Sequence, residues 1–230
     1  MSRILVVTTS VPSYAVSGRR TGLWLGELTH FVDAVEAAGH ATTIASIDGG
    51  FVPLDPESLS HEVLAQGGTR ARYDDPVFMD RLRNTPSLRD VDAAEFDAIY
   101  LTGGHGVMFD FPADERLATL LREFDDAGKV VSAVCHGTAG LLGATKSGGA
   151  PLIAGRNIAG FSWNEEVLAG LDAIVPFSLE ERIAERGATY VQADEAWAPF
   201  AVTDGTVVTG QNPASAHPVA EGVLALLAQR

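Results

Sequence analysis

Short, nearly continuous apolar runs alternate along the chain with longer segments in which apolar residues return every three or four positions. Residues 3–8 (RILVVT) are apolar at almost every position, as in a strand buried on both faces, and Ser, Pro and Gly follow within a loop. Over residues 23–38 the set Leu23, Trp24, Leu28, Phe31, Val32, Val35 and Ala38 recurs at helical spacing, with Gly39 as the stop. Residues 40–46 predict a second strand. Residues 96–106 (FDAIYLTGGHG) predict a third, running into a glycine-rich loop, and a helix is expected over about 113–127 before Gly128.

The unit then repeats. KVVSAV predicts a strand, CHGTAGLLGA a tight turn into a helix, NIAGFS a further strand, and NEEVLAG the start of another helix. A helix ends at Gly187, ATYVQ predicts a short strand, and FAVTDGTVVTG predicts a hairpin with Asp204-Gly205 as its two-residue turn. An amphipathic helix closes the chain. Strands alternating with helices predict a three-layer α/β sandwich, a mostly parallel sheet covered on both faces. Residues 48–95 are less regular, with short helical patterns near 56–66 and 76–82, and read as an insertion or flap. The absence of repeats, low-complexity tracts and linkers predicts one domain over residues 1–230.

The only cysteine, Cys135, sits where a buried strand turns into a helix, with Ala133 before it and Gly137 after it. Small neighbours on both sides are the requirement of a nucleophile elbow, which lifts a side chain out of the carboxyl edge of a sheet. Unpaired N–H groups and the helix dipole at that point are expected to lower the thiol pKa. Backbone N–H groups of Gly103 and Gly104, in the facing loop, could hold a developing oxyanion. The alternative is a small apolar filler, as most buried cysteines are, and the elbow pattern favours reactivity. His136, directly after the thiol, fits a base that turns back across the site. Glu27 falls among Trp24, Leu28 and Phe31 on the first helix, where desolvation should raise its pKa and let it donate a proton toward sulfur.

Composition narrows the partners. Sixteen Lys and Arg against thirty Asp and Glu give a net charge of −14, which repels the phosphates of nucleic acid and anionic membranes. A single cysteine forms no internal disulfide, and no apolar stretch reaches the roughly 18 residues of a membrane span. A cytoplasmic location follows as the expectation. The six histidines show no metal-site spacing and LTGGHG lacks the Gly-x-Gly-x-x-Gly pattern, so neither a metal nor a nucleotide cofactor is expected. His105 is expected to line the pocket, and Trp163 to wall it and so favour small aldehydes.

The motifs LTGGHGVMFDFP, AVCHGTAGLL, GRNIAGFSWNEE, VTGQNPASAH and TGLWLGEL, in this order apart from the last, which lies first at Thr21 to Leu28, resemble the ThiJ/PfpI superfamily. That group has a glutamine-amidotransferase-like, flavodoxin-type fold. Within it the chain is similar to the heat-shock branch, described as glutathione-independent glyoxalases and as stress chaperones. The resemblance implies Cys135 as nucleophile, His136 as its base, Glu27 as the carboxyl contacting the thiol, and Glu166 as the residue orienting the histidine. Adjacent Glu165 is the alternative, and motif position favours Glu166. Thr138 stands where many relatives have proline.

The activity this implies is glyoxalase III (D-lactate dehydratase, a lyase): methylglyoxal to D-lactate and glyoxal to glycolate through a hemithioacetal, with protein deglycation as a related reaction. A holdase chaperone, or a cysteine hydrolase of the same superfamily, is the alternative. The amidotransferase His-x-Glu pair is missing, because His217 is followed by glutamate only at Glu221. Relatives are commonly homodimers, so a homodimer acting on a small reactive aldehyde is expected.

Overall fold

The computed structural model describes residues 1–230. Its sheet grows outward from β1 (Arg3–Thr8), whose side chains beyond Arg3 are all buried, so both faces must be covered. Helix α1 (Leu25–Ala37) returns the chain to β2 (Ala41–Ser46), which pairs with β1 in parallel register, Arg3 opposite Ala41. Short helices α2 (His61–Leu64), α3 (Thr69–Tyr73) and α4 (Pro76–Asp80) then lead to β3 (Ala98–Leu101). The stretch 48–95 is irregular but packed down, since Val52, Leu64, Phe78, Leu82 and Leu88 all join the main core.

From β3 the chain passes through α5 (Val107–Asp110) and α6 (Glu115–Asp126) to β4 (Val130–Val134). A small parallel pair follows, β5 (Asn157–Ile158) with β6 (Thr189–Tyr190), enclosing α7 (Trp163–Ala169) and α8 (Leu179–Glu185). The hairpin β7 (Ala201–Asp204) and β8 (Val207–Gly210) precedes α9 (Ala216–Leu227). The six-stranded sheet runs β2-β1-β3-β4-β8-β7, parallel except for the edge strand β7. Helices α1 and α9 pack together on one face, and α6 covers β3 and β4 on the other. No helix is long and apolar enough to cross a membrane.

Three local expectations change. NIAGFS does not enter the main sheet: only Asn157 and Ile158 form a strand, and they pair with β6, because β8 already occupies the edge of β4. The hairpin turn lies one residue later, at Gly205-Thr206, with Asp204 still paired to Val207 and Gly205 taking the positive φ of 62° that the tight turn needs. Residues Cys135–Leu142 form a 3-10 helix and not an α-helix.

Candidate active site

The register that sets Leu101 beside Ala133 brings the ends of β3 and β4 together, so the Gly103 loop faces Cys135. Cys135 has φ 57°, a strained value for a residue with a side chain and the one an elbow demands. Gly137 shows why the turn is tight: a Cβ there would lie 2.5 Å from the carbonyl oxygens of Leu101 and Thr102.

His136 reaches the sulfur through Nδ1, 3.4 Å from Cys135 Sγ, and its Nε2 lies 2.7 Å from Glu166 Oε2. The acceptor on Nε2 fixes the tautomer, so the neutral ring offers a lone pair at Nδ1 to the thiol. Glu166 Oε1 stands 2.7 Å from His105 Nε2, giving the carboxylate a second imidazole. Despite burial, His136 and the two histidine hydrogen bonds hold Glu166 far below the ordinary carboxylate range. Burial, and then neighbouring His136, push His105 down. His105, His136 and Glu166 also place three ligand atoms within 4.8 Å of one another, a donor set that a divalent cation could use. Sequence spacing concealed this cluster because its members come from three different elements.

Glu27 also lies beside Cys135, both side chains crowding the Gly103 position. It is wholly buried on the first turn of α1, Gly103 N–H donates to its Oε2 at 2.7 Å, and its other oxygen, Oε1, has no hydrogen-bond partner. Desolvation outweighs the opposing pull of the neighbouring thiol and the Gly103 N–H and raises its pKa to about 8, so the group is protonated at neutral pH. Tyr100 Oη anchors the same helical turn by donating to the Glu27 carbonyl at 2.9 Å.

Three site expectations are corrected. The Cys135 pKa is raised, not lowered: burial dominates, proximity to Glu27 adds to it, and the favourable His136 N–H is too little to offset them. The Gly103 N–H is engaged by Glu27 and is not free for an oxyanion, whereas the Gly104 N–H has no main-chain acceptor and Gly104 lines the cavity. Trp163 does not wall the site. As the first residue of α7 it is 37% exposed and stands outside the cavity lining.

The cavity above Cys135 has a volume of about 460 Å³ and is bounded by Gly104, His105, His136 and a largely apolar wall. Trp24, Phe161, Leu171 and Trp197 belong to that wall, and Glu57, Val63 and Gln66 reach it from the irregular 48–95 stretch. No periodic signal marks Trp197 or Phe161 as site residues, because both lie in loops. Glu165 and Glu166 divide their work. Glu165 accepts from Ser162 in a capping box and from Trp197 N and Asn212 Nδ2, both at 2.8 Å, so only Glu166 faces the histidines.

A strand order of this kind, an elbow cysteine at the end of the fourth strand and a flanking buried glutamate define a three-layer α/β protein with a thiol-centred site. The chain belongs to the DJ-1/PfpI family, which it matches over residues 22–226. It is 33% identical to glyoxalase 3 of Candida albicans over 98% of both chains. It is 32% identical to the glutathione-independent glyoxalase HSP31 of Saccharomyces cerevisiae over 94% of both. Among solved structures, the Rapid Encystment Protein 24 KDa of Francisella tularensis superposes with a TM-score of 0.92 at 37% identity, covering 97% of each chain. Glyoxalase III from Candida albicans superposes with 0.90 at 32% identity, covering 97% of this chain and 96% of that one.

Proposed function

We propose that the protein is a glutathione-independent glyoxalase that converts methylglyoxal to D-lactate, and glyoxal to glycolate, without a cofactor. The observation that carries this reading is a buried thiol beside two groups able to carry protons, Glu27 with its raised pKa and the His136 imidazole backed by ionised Glu166. Full-length similarity to proteins named as glyoxalases supports the same reading.

His136 takes the thiol proton as Sγ bonds to the aldehyde carbon, and the oxygen released from that double bond takes the Glu27 proton, with the Gly104 N–H beside it. Glu27, now a carboxylate, removes the hydrogen from the same carbon while the imidazolium protonates the ketone oxygen, giving an enediol. Glu27 returns its proton to the former ketone carbon, and His136 removes the hydroxyl proton to form a thioester. Water then gives its hydroxyl to the thioester carbon and a proton to Glu27, and the imidazolium protonates the departing sulfur. The aldehyde carbon is oxidised and the ketone carbon reduced, so no outside oxidant is required.

Methylglyoxal turnover with chiral analysis of lactate tests the reading. D-Lactate is expected from the native protein and from neither Cys135→Ala nor Glu27→Gln. Turnover by Cys135→Ala at the native rate would overturn it.

A further inference from the structure

Trp197 has a backbone that a bulky residue avoids. Its φ is 66°, in the left-handed region, where a side chain other than glycine's crowds its own backbone. Such a conformation persists only when surrounding contacts over-determine it, and those contacts collect where ligands bind. Here they are explicit. Fully buried Glu165 accepts the Trp197 N–H through Oε1 at 2.8 Å, and the same oxygen accepts from Asn212 Nδ2 at 2.8 Å. The other oxygen, Oε2, accepts from Ser162 Oγ at 3.0 Å, and Asn212 Nδ2 also donates to the Ala198 carbonyl at 2.8 Å. The residue after the tryptophan is thereby tied to the same anchor.

The strained segment presents an indole to the cavity. The Trp197 ring is tilted 56° to that of Phe161 with centroids 5.8 Å apart, and the Phe161 and His136 ring centroids lie 4.4 Å apart. An aromatic wall therefore runs from the base outward, and its outer member is still 46% exposed. The cavity of about 460 Å³ is far larger than methylglyoxal needs, since a water molecule takes about 30 Å³. Volumes of this order suit ligands with a sizeable apolar group. Glu57 is the one carboxylate lining the cavity, and it disfavours an anionic substituent.

We infer that Trp197, pinned by Glu165, is the specificity-determining wall of this site, and that the site prefers α-oxoaldehydes with a bulky uncharged apolar substituent over methylglyoxal. The inference rests on the glyoxalase reading above. Burial of the substituent against Phe161 and Trp197 precedes the chemistry and persists through it, so the gain falls in KM more than in kcat.

The test compares kcat/KM for the methyl, isobutyl and phenyl α-oxoaldehydes. The isobutyl member has the carbonyl electronics of the methyl one and separates size from conjugation. At least an about tenfold advantage of isobutyl over methyl is expected in the native protein, and it should shrink to within about threefold in Trp197→Ala. Trp197→Gly removes the same ring but tolerates the positive φ, so it should lose the same selectivity while melting above Trp197→Ala. Equal or faster turnover of methylglyoxal by the native protein would overturn the inference and leave the glyoxalase reading standing. Failure to turn over any of the three would overturn both. Native selectivity in both Trp197 variants would remove that residue from the wall.

Discussion

His105 and His136 stand 4.0 Å apart, ring centroid to ring centroid, and each meets a different oxygen of the Glu166 carboxylate through Nε2. One glutamate thus holds two imidazoles in the same tautomer. His105 helps to keep Glu166 ionised, and Glu166 meets His136 at Nε2 while the ring's Nδ1 faces the thiol.

Replacement of His105 by Phe should therefore act through Glu166. An unpaired buried oxygen costs about 1–3 kcal/mol, so kcat/KM is expected to fall about tenfold or more. With one stabilising donor gone the Glu166 pKa rises, and the acidic limb of the pH–rate profile should move to higher pH. His105→Gln keeps a donor and should recover part of both effects. An unmoved acidic limb in His105→Phe would show that His105 only fills space.

Glu27 makes stability depend on pH in a defined direction. Its pKa rises from 4.5 to about 8 on folding, so between those values the folded chain binds more protons than the unfolded one and stability falls as pH rises. Glu27→Gln removes this dependence. The melting temperature of the variant should gain on that of the native protein steadily from pH 5 to pH 8, and a constant difference would contradict the raised pKa. Methylglyoxal turnover should drop about 10²-fold or more.

Two glycines differ in what they protect. In Gly137→Ala the new Cβ meets two main-chain carbonyls at 2.5 Å, an overpacking that costs about 1–3 kcal/mol, or several degrees in melting temperature at about 2–4 °C per kcal/mol. In Gly103→Ala the nearest atom is Glu27 Oε2 at 2.6 Å, with Cys135 Cβ at 3.0 Å. That variant should fold with a smaller thermal loss yet lose most turnover, because Glu27 is the group that moves. Thermal melts set beside initial rates distinguish the two cases, and full activity in Gly103→Ala would contradict the close approach.

Trp163 serves as the control for the cavity wall. Exposed and outside the lining, it should be replaceable by Ala with the ratio of glyoxal to phenylglyoxal turnover unchanged. A shift in that ratio would place the indole in the pocket after all.

Apolar periodicity alone carried the main elements: the buried runs became the parallel strands, and the helical stripe at 23–38 became α1, within two residues at its start and one at its end. The elbow was legible as well, because only small residues permit that turn, and its glycine sits against two carbonyls as the motif requires. Motif order pointed to Cys135, His136, Glu27 and Glu166. What periodicity could not supply was the balance of forces around them. Whether Cys135 is raised or lowered depends on burial and on Glu27, a residue 108 positions earlier in the chain (135 − 27). The Trp163 expectation failed because proximity in sequence to Glu165 and Glu166 says nothing of direction: the helix carries its first residue outward while Glu165 reaches back to Trp197. Local sequence determined the strands, the turn and the chemical groups, since those follow from neighbouring residues. Tertiary structure alone decided what Glu165 does beside Glu166, which tryptophan faces the cavity and that the thiol keeps its proton, because hydrogen bonding and desolvation act between elements that the sequence separates.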